Sequence, residues 1–195
     1  MKYQLNTYMD KERIVEMPAD QIRELALSGD IILVTDVGAA ALEQVIENKK
    51  AEIAAEQRAM GQAAADDPDL PENTTFKEIK TRLQFELPRQ LNELREKQDK
   101  AIVYSEANTS QIGFGTVFEA DMYYLDVDEK ESERFILLGP VEAMYMKDQF
   151  PGLVVISYLS PIGRGLWGKA YHDQATHQIE TPSGNIKCVI KRRDV

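Results

Sequence analysis

The sequence is poor in the residues that build cross-links and tight metal sites. Its 195 residues include one cysteine, Cys188, and two histidines, His172 and His177. A single cysteine excludes an internal disulfide and is typical of a protein from a reducing cytoplasm. With no cysteine pair near the histidines, a zinc site is not expected. Cys188 falls in the alternating run "IKCVIK", which predicts a small buried hydrophobe in a strand.

Long apolar runs and excess positive charge are missing as well. The longest apolar stretch, "GLVVISYL" at 152–159, is shorter than the roughly 18 residues that a membrane span needs. Residues 1–18 lack the apolar core of a signal peptide. The net charge of −10 argues against a protein that coats nucleic acid through its phosphates, and it favours basic partner surfaces or metal ions. We therefore expect a cytoplasmic protein with no membrane partner.

Helix-forming residues are abundant from Thr35 onward. "TDVGAAALEQVIENKKAEIAAEQRAMGQAAA" is rich in Ala, Glu, Gln and Lys, and Thr35 or Asp36 is placed to cap its N-terminus. Apolar residues recur at helical spacing in two stripes, the first interrupted by Lys49 and Glu56. The stripes are Leu42, Ile46, Ile53 and Met60, then Phe76, Ile79, Leu83, Leu87, Leu91 and Leu94. The pattern predicts an antiparallel coiled-coil hairpin over residues 35–104, because each stripe needs a partner.

A proline interrupts the second predicted helix. Pro88 removes one N–H and clashes with the carbonyl of Gln84, at a cost of about 3 kcal/mol. The apolar stripe resumes in phase at Leu91. The sequence therefore predicts a kink near Gln84 to Pro88 rather than a break.

The turn between the two predicted helices is acidic. The segment "DDPDLPENTTF" at 66–76 includes the expected tip, residues 66–75, with four carboxylates and two prolines. Two carboxylates held close repel each other unless a cation or a proton lies between them, and oxygen ligands of this kind suit Mg²⁺. A solvated polar loop is the simpler interpretation. Arms that reach about 40 Å at about 1.5 Å per residue favour instead a tip that delivers carboxylates into another molecule.

Beyond residue 105 the pattern changes to short runs rich in β-branched and aromatic residues. Five runs separated by Gly, Pro and Asp predict strands, and "SPIGRGLWGKA" predicts a turn with one short helix. The sequence predicts a hairpin followed by a small α+β domain over 105–195. Residues 1–34 are treated as an N-terminal extension with one short helix at Pro18–Leu27. Three roles are open for this extension: it caps the body, it binds a second partner, or it is partly disordered.

Three short motifs occur in order along the chain. They are "DLPENTTF" at 69–76, "GPVEA" at 139–143, and "SPIGRGLWGK" at 160–169 followed by "TPSG" at 181–184. They resemble "DLSENSEY", "GPDEAD", "SP-IAR-AL-GK" and "TPGGE" of the bacterial Gre transcript-cleavage factors, GreA and GreB. The resemblance covers residues 35–195, and the spacing from Asp69 to "KAIVY" at 100–104 also fits the second helix of that family.

The resemblance implies a fold, a partner and a mechanism. Gre factors dock an FKBP-like C-terminal domain at the rim of the RNA polymerase secondary channel and push the coiled-coil tip to the active site. There the tip acids help to hold the second Mg²⁺ and orient the water that cleaves RNA extruded by backtracking. The protein implied is not an enzyme by itself. It stimulates the polymerase's own endonuclease activity, with Mg²⁺ supplied by the polymerase and none bound by the free protein.

The resemblance also implies site residues. Asp69 and Glu72 match the two tip acids, so they are the predicted catalytic residues, acting in trans and sharing Mg²⁺ only in the polymerase complex. Ser160 and Pro161 match the docking loop, and with Arg164 they are the predicted partner contacts.

Several residues depart from the family pattern or have no fixed equivalent in it. Pro71 stands between the two tip acids and fixes φ there, and Thr75 replaces an acid of the family motif. The first helix ends without Lys or Arg, which leaves Lys77, Lys80 and Arg82 on the second helix as candidates for contact with the RNA 3′ end. A solvated helix surface is the other interpretation of these three residues.

Two alternative functions remain at this point. The altered tip suits a secondary-channel regulator or inhibitor that occupies the channel without stimulating cleavage. A more distant alternative is an FKBP-like peptide-binding chaperone, which predicts an aromatic-lined pocket. Its possible lining residues are Phe114, Phe118, Tyr158 and Trp167, which ordinary core packing explains equally well.

Overall fold

The protein contains both helices and a sheet, in two compact units. The structure, a computed structural model, describes residues 11–66, 74–105, 110–127 and 129–191. One unit is Ala39–Lys100, and the other combines the residues up to Gly38 with those from Ala101 onward. The helices are α1 (Lys11–Val15), α2 (Ala19–Ser28), α3 (Asp36–Asp66), α4 (Thr74–Thr81), α5 (Leu87–Lys100), α6 (Pro140–Tyr145) and α7 (Pro161–Leu166). The strands are β1 (Ile32–Val34), β2 (Ala101–Val103), β3 (Val117–Tyr124), β4 (Glu129–Leu138), β5 (Val154–Ser157), β6 (Thr176–Thr181) and β7 (Gly184–Lys191).

The unit Ala39–Lys100 is an antiparallel helical hairpin, as the sequence predicted. Lys49 on α3 donates a hydrogen bond to Gln90 on α5 at 3.0 Å. Seven residues further along α3, Glu56 pairs with Arg82, which lies eight residues earlier than Gln90. As residue numbers increase along α3, the contacting residues on the second arm have decreasing numbers, so the two arms are antiparallel. In the part of the chain that the structure describes, neither arm nor any other helix is long and apolar enough to cross a membrane.

Burial along the hairpin is uneven. Leu42, Ile46, Leu87, Leu91 and Leu94 are each at most 9% exposed. The apolar residues nearer the tip, Ile53, Met60, Ile79 and Leu83, are half-buried. Since buried apolar area supplies most helical stability in proteins, the end of the hairpin near Ala39 and Lys100 is the better stabilised end.

The second arm accommodates Pro88 through a π-helical segment. Residues Arg82–Glu86 lie between α4 and α5, and the backbone N–H of Leu87 donates to the carbonyl of Arg82, five residues back. Pro88 follows at the second position of α5, where its missing N–H removes one helical hydrogen bond. The sequence placed the disturbance correctly, and the helix continues to Lys100 without a break. A widened turn is a common way for a helix to absorb one misplaced residue.

The second unit is built on a five-stranded sheet in the order β5-β4-β3-β7-β6. All neighbouring strands are antiparallel except β4 and β5. These strands are the five runs that the sequence predicted, and α7 is the predicted short helix. The parallel pair is connected through α6 and a 3₁₀ turn at Lys147–Gln149, as a crossover between parallel strands requires.

The N-terminal residues belong to the same unit as the sheet. Strand β1 pairs in parallel with β2, with Ile32 opposite Ala101 and Val34 opposite Val103. Ile22 on α2 and Leu33 on β1 are buried in the core that the sheet forms. The predicted boundaries, an extension over 1–34 and a hairpin over 35–104, differ from this division. The difference arises because two short apolar runs, separated by the whole hairpin, complete each other in a way that local periodicity does not reveal.

The aromatic residues offered as a pocket lining fill the core instead. Phe114, Phe118, Tyr158 and Trp167 are 0–6% exposed, and the rings of Tyr158 and Trp167 lie 4.9 Å apart between centroids. The lining predicted by the chaperone alternative is therefore wrong. Cys188 is fully buried as expected, and burial raises the pKa of its thiol to about 12.

One carboxylate, Asp121, is buried on the face of the five-stranded sheet opposite to the core and Cys188. Asp121, 6% exposed, is held by Lys130 at 3.0 Å and by Lys191 at 2.5 Å. Burial alone raises the pKa of this carboxyl, but hydrogen bonds from Lys191, Lys130 and Ser132 outweigh it and lower the pKa well below its usual range. Asp121 therefore stabilises the folded state as the charged form.

We expect Asp121→Asn to lower the free energy of unfolding by about 2 kcal/mol at pH 7, less than for a fully buried pair because both lysines reach solvent. A carboxyl whose folded pKa is depressed stabilises the protein above its unfolded pKa and loses that contribution as pH falls through the folded value. The difference in the free energy of unfolding between variant and wild type should become smaller below about pH 4. Urea unfolding across pH measures it, with the exposed Glu133→Gln as the control. A gap that stays constant to pH 2 contradicts the account.

Candidate functional site

The two predicted catalytic acids lie outside the described residues. Asp69 and Glu72 belong to the segment that joins the end of α3 at Asp66 to the start of α4 at Thr74. The described residues on either side of it, Asp66 and Thr74, lie at the end of the hairpin opposite Ala39 and Lys100. Two carboxylates are hard oxygen ligands, so the donor set suits Mg²⁺. Among the residues that the structure describes, no group of three or more His, Cys, Asp or Glu side chains could hold a metal ion.

Several residues of α4, the helix that begins at the end of the expected tip, are exposed. Thr75, Lys77 and Lys80 all lie on α4 with their side chains open to solvent. Lys77 and Lys80 are three residues apart and therefore share one side of the helix. Their contact with the RNA 3′ end stays a prediction.

Arg82 is engaged inside the hairpin. Its guanidinium pairs with Glu56 and with Glu52, the latter at 3.1 Å, and these two acids are one helical turn apart on α3. Both bonds are charge-assisted, and they direct the cation toward α3. Of the three basic residues proposed for RNA contact, Arg82 is thus the one with a clear interhelical role.

Polar residues join the two arms into one network near the middle of the hairpin. Lys49 bonds to Glu52 at 2.5 Å and to Gln90 at 3.0 Å, and Glu52 also pairs with Arg82. Lys49 and Glu56, which interrupt the apolar stripe in the sequence, are both members. Polar side chains in a coiled-coil seam are a means of fixing register, so we call this set the register network: Lys49, Glu52, Glu56, Arg82 and Gln90.

Arg82→Met should lower the free energy of unfolding by about 1 kcal/mol or less, because the Arg82 side chain is 42% exposed and solvent screens the pairs. The loss should be larger at low salt than at 0.5 M NaCl. Circular dichroism melts at both salt concentrations measure it. Arg95→Met, on an exposed position of α5, is the matched control. Equal effects of the two substitutions contradict a role for Arg82 in joining the arms.

The predicted docking residues Ser160 and Pro161 open helix α7. The Ser160 hydroxyl accepts a hydrogen bond from the Gly163 N–H at 3.0 Å and donates one to the Ser157 carbonyl at 2.7 Å. Pro161 occupies the first helical position, where its fixed φ is favourable and no donor is lost. The capping interactions hold the Ser-Pro turn in one conformation.

Two depressions flank this turn. A shallow one is lined by Leu159, Arg164 and Lys169, among others, and Pro161 borders both. Arg164 is exposed, with its Nε donating to the Leu159 carbonyl at 3.2 Å. The second is a cleft of about 230 Å³, more apolar, bordered by Ile162 and the turns at 124–127 and 183–185. The structure thus places the three predicted docking residues on one surface.

Sequence reasoning missed the contribution of the β3–β4 turn to that surface. Leu125 and Val127 are 53% and 63% exposed, and Val127 lines the cleft. Asp126 between them accepts a hydrogen bond from the Asn185 N–H at 3.0 Å, which ties this turn to the turn before β7. Large exposed apolar residues beside a cleft are typical of interaction surfaces. The signal was present in "LDV", two apolar residues in a polar turn.

A buried acid at the start of α3 was also missed. Thr35 caps this helix, accepting from the Gly38 N–H at 2.9 Å, and Glu142 on α6 accepts from the Thr35 N–H at 2.6 Å and from its hydroxyl at 3.0 Å. Glu142 is fully buried. A Cβ added at Gly38 would lie 2.1 Å from its Oε1, so the backbone approaches this acid closely. The "GPVEA" motif therefore supplies a remote cap for the first turn of α3.

Comparison with known proteins gives consistent descriptions. A family model described as "Transcription elongation factor, GreA/GreB, C-term" matches residues 108–192. A protein named Transcription elongation factor GreA from Nitratidesulfovibrio vulgaris is 31% identical over 125 residues, covering 63% of this chain and 70% of that protein. Two further proteins of the same name come from Thermodesulfovibrio yellowstonii, 28% identical (62% and 71% covered), and a Psychrobacter species, 29% identical (78% and 90% covered).

Among solved structures, the chain is similar to the GreA factor homolog 1 (Gfh1) protein of Thermus thermophilus. The identity is 18%, the TM-score is 0.35, and the match covers 83% of this chain and 97% of that one.

Proposed function

Because the chain belongs to the GreA/GreB family of transcription elongation factors, we propose that it binds bacterial RNA polymerase at the secondary channel and stimulates cleavage of backtracked RNA. The observation that carries the proposal is that one chain holds both required parts. These are a helical hairpin whose two arms are connected in sequence by the acidic segment 66–75, and a second unit that matches the family's C-terminal model.

The hairpin supports the proposal by its length. Helix α3 has 31 residues, which is about 46 Å at 1.5 Å per residue. A second arm of similar length stiffens it through the buried leucines and the register network. Such an arm can carry a short acidic segment deep into a narrow channel of a partner.

The surface around Pro161 supports docking of the second unit. It combines a capped and therefore rigid turn, an apolar cleft and the exposed residues Leu125 and Val127. An apolar centre with a polar rim is the usual anatomy of a protein–protein interface. Arg164 and Lys169 at the rim suit an acidic patch on the partner.

The chemistry proposed is hydrolysis of a phosphodiester within the polymerase. Mg²⁺ there supplies a means of activating water and stabilising the leaving oxygen. Asp69 and Glu72 would supply carboxylate oxygens to hold that Mg²⁺, and they would accept a hydrogen bond from the attacking water and so orient it. Lys77 and Lys80 lie on the helix that begins just after the tip, where their charge favours an RNA phosphate.

A second candidate function keeps the partner and omits the cleavage. Pro71 between the two acids and Thr75 in place of a family acid favour a factor that occupies the channel as a regulator or inhibitor. Thr75 lies exposed in the first turn of α4. Because it is a threonine, this position has no carboxylate where the family motif has one.

Pro161→Asp tests the docking part of the proposal. The substitution puts a charge between the two depressions, while Asp is well tolerated in the first turn of a helix. We expect affinity for core RNA polymerase to fall at least tenfold, because a carboxylate must be desolvated at the centre of the interface. Fluorescence titration with labelled protein measures it. Met144→Asp, at a position 62% exposed on α6, is the control and should bind as wild type. Unchanged affinity of Pro161→Asp removes this surface from the proposal.

A further inference from the structure

Strand β4 separates charges by sign. Its first six residues, "EKESER" at 129–134, alternate acidic with basic or neutral side chains. Successive side chains on a strand point to opposite faces of the sheet. Glu129, Glu131 and Glu133 therefore lie on one face, and Lys130 and Arg134 lie on the other.

The neighbouring strands add positive charge to the same face. Tyr123 on β3 is the register partner of both Lys130 on β4 and Lys187 on β7. Glu119 on β3 is likewise the partner of both Arg134 and Lys191. We call Tyr123, Lys130, Arg134, Lys187 and Lys191 the basic sheet face. It carries four cations against three acids, Glu119, Asp121 and Glu180, in a chain whose net charge is −10.

The central part of the basic sheet face is ordered by Asp121. This buried carboxylate holds Lys130 and Lys191, and Lys191 also donates to the Ser132 hydroxyl at 3.1 Å. Glu119 lies beside Lys191 and Arg134, and Glu180 lies on the same face next to β7, so the four cations of the basic sheet face exceed its acids by one charge. Both lysines keep access to solvent, with 48% and 35% of their side chains exposed. The cations are thus placed before any ligand arrives, which lowers the entropy cost of binding.

An aromatic ring lies among the cations. The Lys130 Nζ and the Lys187 Nζ lie over the Tyr123 ring, 5.2 Å and 5.8 Å from its centroid, so the two lysines cover part of the ring. Tyr123 is half-buried, so part of its surface is open. Aromatic rings beside clustered cations are the combination by which proteins bind single strands of nucleic acid, with phosphates against the charges and a base against the ring.

The dimensions of the basic sheet face favour a polymer over a small anion. Lys130 and Arg134 are four residues apart on one strand, about 13 Å, and Lys130 and Lys187 are two strand spacings apart, about 10 Å. Cations spread over such an area contact several phosphates at once.

We propose that the basic sheet face binds single-stranded nucleic acid, with Arg134 and Lys187 contacting phosphates and Tyr123 contacting a base. This binding does not depend on the proposed function. The net charge of the whole chain argues against a protein that coats nucleic acid through many contacts. That argument does not apply to one local face with clustered cations. Phosphates and base rings are common to RNA and DNA, so single strands of both kinds are expected to bind.

Fluorescence anisotropy with the full chain and no polymerase tests this proposal. The probes are labelled U and dT oligonucleotides of about 12 nucleotides and a duplex of equal length, titrated from 20 to 200 mM KCl. The doubly substituted Arg134→Gln/Lys187→Gln should bind the strands at least fivefold more weakly and lower the salt slope by about 0.7 for each lost contact. Tyr123→Leu should weaken binding about fivefold or more. Lys130 and Lys191 are left intact so that Asp121 keeps its partners.

The matched control removes two cations elsewhere, with Arg89→Gln/Lys147→Gln at exposed positions of α5 and the 3₁₀ turn. It should change affinity less than twofold. Equal losses in control and test variants mean a general charge effect and overturn the proposal. The proposal is also overturned if the duplex binds as tightly as the single strands and Tyr123→Leu binds the strands as tightly as wild type. It is overturned as well if the wild-type protein binds no strand at 20 mM KCl.

Discussion

Asp69→Ala and Glu72→Ala are each expected to lower the rate of RNA cleavage in backtracked polymerase complexes by about 100-fold or more, with polymerase binding unchanged. Each acid is proposed to act on the metal and on the attacking water, and groups that stabilise a reacting centre are worth about 10²–10³ in rate. Binding is expected to persist because the proposed docking surface lies in the other compact unit. Single-turnover release of labelled 3′ RNA measures the effect.

Thr75→Glu provides the opposite test at the same tip. It restores the acid that the family motif has at this position, on an exposed site at the start of α4. We expect cleavage to rise with no change in stability.

Full cleavage by Asp69→Ala/Glu72→Ala would remove the tip acids from the mechanism.

Gly163→Ala is expected to cost about 3 kcal/mol in the free energy of unfolding and to weaken polymerase binding. A Cβ at this position would lie 2.1 Å from the Ser157 carbonyl oxygen and 2.9 Å from the Tyr158 Cα. Both contacts are with backbone, so helix α7 must move away from the end of β5, an overpacking effect at the upper end of the usual range. The Ser-Pro turn moves with α7, and the docking surface loses its shape.

Gly61→Ala is the matched control for this substitution. Nothing lies within 4 Å of a Cβ at Gly61, an exposed position inside α3. Alanine should therefore raise stability by about 0.5–1 kcal/mol, because glycine is the poorer helix former. Thermal melts of the two variants should shift in opposite directions. A Gly163→Ala protein as stable as wild type contradicts the close packing of α7 on the sheet unit.

Local patterns were sufficient to predict most elements. Alternation and β-branched residues located β3 to β7, and helical spacing located both arms of the hairpin. Pro88 marked the place where the second arm departs from α-helical geometry, although the form of the departure, a π segment at Arg82–Glu86, depends on how the two arms pack.

Contacts between distant parts of the chain were not predictable in the same way. The pairing of Ile32–Val34 with Ala101–Val103 joins two segments on either side of the hairpin, and neither run carries a signal of its partner. Glu142 illustrates the same limit for a polar residue. An acid near a helix start suggests an exposed first turn, yet this one is buried because it caps a different helix through Thr35.

For the candidate site, the motif residues were found from sequence and the surrounding surface was not. Ser160, Pro161 and Arg164 were named from their likeness to a family motif. Leu125 and Val127 join them only when the turns at 124–127 and 183–185 come together in space. Arg82 was a candidate RNA contact from the family resemblance, and only the folded hairpin shows its carboxylate partners on α3.

The release of short 3′ RNA from backtracked RNA polymerase tests the central claim most directly. Stalled complexes with end-labelled transcripts are incubated with the wild-type protein over a range of Mg²⁺ concentrations, and binding is measured in the same samples. We predict cleavage well above the intrinsic rate of the polymerase, abolished in Asp69→Ala/Glu72→Ala. Wild-type protein that binds the complexes and yet releases no RNA above background at any Mg²⁺ concentration would contradict the claim and identify a channel-occupying regulator instead.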